Sequence, residues 1–165
     1  MEMYAFYSHP IIGQLRIKEE DGYIVEIKFI SEDEKIILGK DDFEKNLETE
    51  VLRKTVTQLE EYFQGERKNF DVPFKPKGTE FMMDVYKALM EVPYGETASY
   101  KDIAKKIGRE KAYRAVGNAN NRNCIPIIIP CHRIIGNDGR LVGYEGGLRL
   151  KEALLSLENS NYNHR

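Results

Sequence analysis

Cys131 and His132 stand side by side in a chain that has only two cysteines and three histidines, and this pair is the one best suited to covalent chemistry. A thiol attacks as its thiolate, and a cysteine with an ordinary pKa of about 8.5 is only a few per cent ionised at neutral pH, so a base must take its proton. The imidazole of His132 is the candidate base. The alternative is a buried structural cysteine beside a surface histidine, because free cysteine is among the most buried residue types.

The residues around this pair predict a buried, extended segment that would hold the thiol in place. Between Asn123 and Ile135, two prolines bracket three consecutive isoleucines. Proline fixes its own φ and disfavours a helix at the preceding residue, and β-branched residues suit a strand. Adjacent side chains on a strand point to opposite faces, so proton transfer from Cys131 to His132 requires a turn or a bridging water.

Length and composition indicate an ordinary globular protein. The chain of 165 residues is long enough for one good core or two small domains, with 41% hydrophobic and 32% charged residues. No stretch approaches the roughly 20 apolar residues of a membrane span, and Met1 to Gly13 lacks a signal-peptide pattern, so we expect a cytoplasmic protein without membrane contacts. Two cysteines cannot build a disulfide framework there. With only His9, His132 and His164 available, we also expect no zinc site and no cofactor.

The charge is distributed unevenly along the chain. Up to Gly78 there are 12 Lys and Arg against 17 Asp and Glu, a net of −5, whereas the remainder has 13 against 10, a net of +3. Between Ser99 and Arg140 nine basic residues face three acidic ones, a local net of +6. This excess beside the Cys-His pair favours a polyanionic partner such as nucleic acid, with a solvated basic face as the alternative.

The first half of the chain predicts an antiparallel sheet with one covering helix. Met3 to Tyr7 and Tyr23 to Ile30 have the pattern of strands, and Asp21-Gly22 supplies a turn before the second of them, which favours a hairpin or a meander. A helix that ends near Gly65 follows. Its apolar stripe consists of Leu52, Val56, Leu59 and Phe63. This half carries no catalytic constellation, so we interpret it as a scaffold.

Two prolines and a glycine between Asp71 and Gly78 mark the domain boundary, which divides the chain into residues 1–76 and 77–165. Thr79 is the predicted N-cap of a helix that runs to about Met90. Further on, Ser99 with Asp102 predicts a second capped helix, and the chain then turns at Gly108-Arg109.

A third helix, from Lys111 to about Asn120, completes a predicted helix-turn-helix. Downstream, Arg133 to Ile135 and Arg140 to Val142 flank a glycine-bounded turn, which predicts a β-hairpin wing. On the third helix Arg114 and small neighbouring residues suit close contact with nucleic acid, where a long basic group could enter the base stack. A tight helix-helix contact with Arg114 in solvent is the alternative.

The sequence motifs of this second half resemble those of the O6-alkylguanine-DNA alkyltransferases. The resemblance spans about Phe81 to Leu157, and the amino-terminal half resembles the family more loosely. It implies an α/β amino-terminal domain of ribonuclease H-like form, with an antiparallel sheet plus helix, followed by a mostly α winged helix-turn-helix domain that flips a base out of DNA. The matching segments are Ile129-Pro130-Cys131-His132-Arg133-Ile134, Arg114-Ala115-Val116-Gly117-Asn118-Ala119, Asn123, Gly143-Tyr144-Glu145-Gly146-Gly147 and Lys151-Glu152.

The resemblance also implies what the protein does. It would act as a methylated-DNA–protein-cysteine methyltransferase that repairs O6-alkylguanine, and also O4-alkylthymine, in double-stranded DNA by moving the alkyl group to its own Cys131. The thioether that results has no easily hydrolysed bond, so each molecule would react once. We expect a monomer. Among the other function classes, a winged-helix DNA-binding protein without chemistry predicts an inert Cys131, whereas a cysteine hydrolase would turn over.

Roles for individual residues follow from the same resemblance. Cys131 would be the alkyl acceptor, His132 and Glu152 would activate it, and Asn123 would order the active-site loop. Tyr100 would contact the flipped base and donate a proton to it, while Arg114 would occupy the vacated place in the duplex. Tyr113 stands at a position that often holds a small residue in the family, so its ring could alter how closely the helix approaches DNA. The remaining residues expected to face substrate or DNA are Ala115, Gly117, Asn118, Ile134, Tyr144 and Glu145.

Overall fold

The first element is a three-stranded antiparallel sheet in the order β1-β2-β3, formed by Glu2–His9, Gly13–Glu20 and Tyr23–Ile30. The last two strands are joined at Asp21 and Gly22, whose φ values of 53° and 86° fit a two-residue hairpin turn of the type that matches strand twist. The middle strand lies between the two strands expected from the sequence. Its alternation of apolar and charged residues buries Leu15 and Ile17 on the core face.

One long helix covers this sheet. After a single-turn helix α1 at Glu32–Lys35, helix α2 spans Glu50–Phe63 and contacts all three strands. Thr49 caps it by accepting a hydrogen bond from the Leu52 amide at 3.1 Å, and the chain leaves it through Gly65 at a φ of 79°. This computed structural model describes residues 2–35, 49–144 and 146–160, and the chain divides into two compact units, Met1–Pro76 and Lys77–Arg165.

The second unit is mostly helical. Helix α3 (Glu80–Met90) begins at the Thr79 N-cap, and it packs against helices α4 (Tyr100–Lys106) and α5 (Tyr113–Asn121). Ser99 and Asp102 form the expected capping box at the start of α4. Helix α6 (Leu148–Glu158) contacts a short 3-10 helix at Cys131–Arg133. No helix in the described part of the chain is long and apolar enough to cross a membrane.

The segment before Cys131 is buried as expected, but it is not a strand. Ile127 has a φ of 75°, outside the range of extended backbone, and the Ile129 amide donates back to the Ile125 carbonyl at 3.0 Å. These features make a folded loop. The turn continues into the 3-10 helix, so Cys131 and His132 are not placed on opposite faces of a strand.

The predicted wing is also different from a β-hairpin. Strand β5 (Ile134–Ile135) pairs in parallel with strand β4 (Ala98–Ser99), just before α4, and residues 140–142 form no strand. The turn is closed instead by the Gly136 amide, which donates to the Arg140 carbonyl at 2.7 Å. The hairpin prediction was wrong: β5 pairs with β4, a segment distant in sequence, and no strand forms at residues 140–142.

Candidate active site

Cys131 is held rigidly by its backbone and is only 4% exposed. Its amide donates to the Ile129 carbonyl at 2.7 Å, and its carbonyl accepts from the amides of Ile134 and, at 3.3 Å, of the Asn120 side chain. Asn120 lies on α5, the second helix of the helix-turn-helix. The thiol therefore has a fixed position relative to that helix.

Asn123 fixes the loop that leads to the thiol. Its side-chain amide donates to the Ile129 carbonyl at 2.8 Å, and its side-chain oxygen accepts from the Ile125 amide at 3.0 Å. The residue is 2% exposed. One side chain thus bonds to the beginning of the loop and to its end, which is the arrangement that an ordering role requires.

His132 is completely buried beneath the site and bonds to a carboxylate. Its Nε2 lies 2.7 Å from Oε2 of Glu158. The other ring nitrogen, Nδ1, is buried and has no hydrogen-bond partner among the described residues. Burial lowers the pKa of His132, although the hydrogen bond and the charge of Glu158 act in the opposite direction. The resting imidazole is therefore neutral, the form in which a histidine can accept a proton.

Arg133 holds the carboxylate of Glu158 from the other side. Its Nε donates to Oε1 at 2.8 Å and its Nη2 donates to Oε2 at 3.0 Å, a bidentate pair, while Nη1 donates to the Val92 carbonyl at 2.8 Å. Burial by itself would raise the pKa of Glu158, but the hydrogen bond from His132 and the hydrogen bonds and charge of Arg133 hold it well below its ordinary value. Because Arg133 already supplies a positive charge, Glu158 stays ionised while His132 is neutral.

Glu158 occupies the place that the sequence assigned to Glu152, so that assignment was wrong. Helix α6 buries Lys151, Leu154, Leu155 and Glu158, which recur at i, i+3, i+4 and i+7 and form its inner face. Glu152 is half-buried and lies about 120° around the helix from Glu158. The inner stripe was readable from the sequence. An acidic residue within it is the signal that could have identified Glu158.

Tyr100 stands at the start of α4 and faces α5, the second helix of the helix-turn-helix, called the recognition helix below. Its hydroxyl donates to the Val142 carbonyl at 3.2 Å, and its ring lies so close to Gly117 that an added Cβ there would be 3.6 Å from two ring carbons. Burial, and then the negative charge that Cys131 carries when ionised, raise the pKa of Tyr100. The phenol therefore keeps its proton and can serve as a donor.

A groove of about 750 Å³ is lined in part by Tyr100 and contains half of the residues expected to face DNA. On one side the recognition helix α5 contributes Tyr113, Arg114, Gly117 and Asn118. Arg114 is exposed, whereas Tyr113 is half-buried with Nζ of Lys101 5.4 Å from its ring centroid. The other side is formed by Gly136, Asn137, Asp138 and Val142.

The remaining predicted residues lie in different surroundings. Ala115 is exposed on α5 but does not line the groove, and Ile134 is fully buried. Tyr144 is half-buried in the segment between the groove and α6. Glu145 lies outside the described residues. Within the described ranges, no group of three or more His, Cys, Asp or Glu side chains is placed to hold a metal ion.

The sequence did not single out four residues that shape the site: Asn120, Arg133, Lys151 and Glu158. Asn120 was only the approximate end of a predicted helix, and Arg133 and Lys151 lie inside the segments that resemble the family but were given no role. Lys151 is completely buried, and it precedes Glu158 on the inner face of α6. For both α6 residues, a charged residue within an apolar helical stripe was the available signal.

Comparison with known proteins accounts for both units of the chain. Residues 80–160 match the 6-O-methylguanine DNA methyltransferase, DNA binding domain, and residues 3–76 match the ribonuclease-like domain of the same description. The methylated-DNA--protein-cysteine methyltransferase of Methanosarcina barkeri is 47% identical over 159 residues, which cover 96% of this chain and 99% of that protein. The constitutive enzyme of that name from Bacillus subtilis is 41% identical over 172 residues, with 100% of both chains covered.

Solved structures agree with this result. The crystal structure of Mycobacterium tuberculosis OGT in complex with DNA is 39% identical, with a TM-score of 0.80 over 96% of this chain and 93% of that chain. The match confirms the fold class expected from the sequence, an α/β unit with an antiparallel sheet followed by a helical DNA-binding unit. The resemblance drawn from the residues around Cys131 is likewise confirmed. The chain belongs to the 6-O-methylguanine DNA methyltransferase family.

Proposed function

We propose that this protein repairs O6-alkylguanine, and also O4-alkylthymine, in double-stranded DNA by transferring the alkyl group to Sγ of Cys131. The observation that carries the proposal is the buried chain of His132, Glu158 and Arg133 directly behind Cys131. The names of the relatives, methylated-DNA--protein-cysteine methyltransferase, support the same reaction. A structural cysteine would need no such arrangement.

Activation of the thiol follows from the tautomer of His132. The ionised carboxylate of Glu158 can only accept, so Nε2 of His132 carries the ring proton and donates it across the 2.7 Å contact. Nδ1 is then the basic nitrogen. A buried polar atom of this kind needs a partner, and we propose that a water bound there relays the proton of Cys131. The imidazolium that forms is stabilised by Glu158.

The transfer itself is a displacement at the alkyl carbon. Sγ of Cys131 forms a bond to this carbon as the bond from carbon to O6 breaks, and the electron pair moves into the guanine ring. Tyr100 donates a proton to the ring, which makes guanine a better leaving group. The product is a thioether on Cys131 and an unmodified guanine. Because a thioether has no easily hydrolysed bond, one protein molecule repairs one base.

Cys131 is almost fully buried and does not itself line the groove, so the reacting carbon must be carried toward it from DNA bound there. The damaged nucleotide must leave the base stack, at a cost of a few kcal/mol for unstacking and unpairing. Arg114 is exposed on the face of α5 that lines the groove, next to Gly117 and Asn118. Its side chain can enter the duplex and offset part of that cost. The basic excess between Ser99 and Arg140 supports binding to the phosphate backbone.

All of these residues belong to one chain and to the Lys77–Arg165 unit, which supports action as a monomer. Both cysteines are free thiols, and this supports a reducing compartment such as the cytoplasm.

The test is intact-mass and peptide mass spectrometry after incubation with duplex DNA that contains one O6-methylguanine. We expect one methyl group per protein molecule, located on Cys131. Cys124→Ser is the matched control, because it removes the other thiol and should leave the transfer unchanged. An adduct on Cys124 would contradict the assignment of the acceptor. Tight binding to the DNA without any adduct would instead favour a winged-helix DNA-binding protein without chemistry.

A further inference from the structure

Lys151 is a lysine without exposed surface, which is unusual for this residue type. It lies on the inner face of α6, where its Nζ donates to the Val142 carbonyl at 2.9 Å and to the Gly143 carbonyl at 3.4 Å. Burial lowers the pKa of Lys151 to about 8, although the charge of an ionised Cys131 acts in the opposite direction. The side chain is therefore mainly protonated at neutral pH and can donate to both carbonyls.

The Val142 carbonyl has a second donor. The hydroxyl of Tyr100 lies 3.2 Å from the same oxygen, so a residue of α4 and a residue of α6 converge on one backbone atom. Val142 and Tyr100 both line the groove. This shared acceptor therefore stands at the place where a flipped base has to arrive.

The two hydrogen bonds cannot both persist during the reaction. A tyrosine hydroxyl has one proton, and in the proposed transfer Tyr100 must direct it toward the base. The Val142 carbonyl then loses this donor at the moment when the incoming base displaces water from the groove. A carbonyl left without a donor in such a place is costly, and the cost would be added to the barrier.

We propose that Lys151 is a positioning residue that retains the Val142 carbonyl while Tyr100 transfers its hydrogen bond to the flipped base. The proposal rests on the proposed alkyl transfer to Cys131. The ammonium group has three N–H donors, enough to bond to the Val142 and Gly143 carbonyls together. The groove wall at these two residues therefore stays in place whether or not Tyr100 donates to the Val142 carbonyl.

The experiment is a double-mutant cycle on the full-length protein with Tyr100→Phe, Lys151→Met and the variant that combines them. The quantity measured is the single-turnover rate of methyl transfer at saturating O6-methylguanine duplex. In the presence of Tyr100, Lys151→Met should slow transfer roughly tenfold or more, because release of Tyr100 now leaves the carbonyl bare. In the Tyr100→Phe background, Lys151→Met leaves the carbonyl bare both before and during the reaction. The barrier then changes little, so the same substitution should cost roughly twofold or less.

This coupling separates positioning from other effects of a lost lysine. Weaker electrostatic support of the Cys131 thiolate, or general loosening of the fold, would slow both backgrounds alike and give losses that multiply. The affinity for undamaged duplex should stay within about twofold, because Lys151 is buried and reaches no phosphate. Lys87→Met, at an exposed position on α3, is the matched control and should leave the rate unchanged.

Lys151→Gln keeps a donor at this position and should recover part of the rate that Lys151→Met loses. If the methionine variant does not fold, the same cycle is run with Lys151→Gln. Its loss of transfer rate should again be smaller in the Tyr100→Phe background than in the presence of Tyr100. Losses that multiply in a protein whose wild type methylates Cys131 would overturn the role of Lys151 alone. A wild-type protein that gains no methyl group would overturn the proposed function and this role together.

Discussion

Replacing Glu158 by glutamine should damage both stability and activity. The carboxylate is fully buried and bonds to His132 Nε2 at 2.7 Å and to Arg133 at 2.8 and 3.0 Å. Removing one partner of a buried ion pair leaves the other charge uncompensated, which typically costs about 3–5 kcal/mol. Glutamine cannot replace the charge beside Arg133. We therefore expect the free energy of unfolding to fall by about that amount at pH 7.

The same substitution should slow methyl transfer by roughly 10²- to 10⁴-fold, the usual contribution of a positioned general base. An amide can donate to Nε2 of His132, which would move the ring proton to Nδ1 and remove the basic nitrogen from the Cys131 side. Without the carboxylate the imidazolium also loses its counter-charge. The measurement is the single-turnover transfer rate from duplex DNA, taken well below the melting temperature of the variant.

Stability should also become less dependent on pH. The pKa of Glu158 is lowered in the folded state, so its contribution is complete above the unfolded value of about 4.3 and is lost as the pH falls below it. The lowered pKa of His132 acts in the same direction from about pH 6.5 downward, because the unfolded chain then binds a proton that the folded one resists. The His132 contribution remains in Glu158→Gln, whereas the carboxylate contribution is gone. Urea unfolding below about pH 4.3 should therefore show a smaller fall in stability for Glu158→Gln than for the wild type.

Glu152→Gln is the matched control, six residues earlier on the same helix. It removes the carboxylate that the sequence had assigned to His132, yet it should change the transfer rate and the acid stability little. If Glu152→Gln proved as harmful as Glu158→Gln, or if both were harmless, the contacts of α6 with the 3-10 helix would not govern the chemistry.

Three further predictions concern the groove, the loop and the product. Arg114→Ala should slow transfer from duplex DNA at least tenfold more than transfer from the free base, since only a duplex has a gap to fill; equal losses would refute that role. Asn123→Ala removes two buried hydrogen bonds and should lower the free energy of unfolding, measured by urea denaturation, by about 1–3 kcal/mol. It should also slow methyl transfer in a single-turnover assay. Protein methylated on Cys131 should melt at a lower temperature than the unreacted protein, because adding a methyl group to a filled site typically lowers the free energy of unfolding by about 1–3 kcal/mol. Cys131→Ser, exposed to the same DNA, is the control, and an unchanged or higher melting temperature of the methylated protein would refute the packing argument.

The sequence was sufficient wherever the governing interactions are local. The caps at Thr79 and Ser99 involve side chains that bond to amides three residues later, so residue type and spacing predict them. The turn at Asp21–Gly22 has the same local origin. It was also possible to predict that Cys131 and His132 belong to a reactive site, because the motif around them is continuous in the chain.

The loop before Cys131 shows where local preference fails. Its isoleucines and prolines favour extended backbone, yet Ile127 adopts a φ of 75°. The hydrogen bonds of Asn123 to both ends of the loop, together with burial of Ile125, Ile127 and Ile129, hold the backbone in a conformation that the residue types by themselves do not favour.

Tertiary structure determines which carboxylate bonds to His132. Glu152 and Glu158 have the same chemistry and lie on the same helix, and the motif favoured the former. What decides between them is which face of α6 packs against the 3-10 helix that carries His132. That contact joins residues 26 positions apart, and it is set by burial of Leu154 and Leu155 rather than by any preference of the acidic residues themselves. The sequence by itself therefore determined the kind of chemistry, whereas the packing of one helix face determined which side chains perform it.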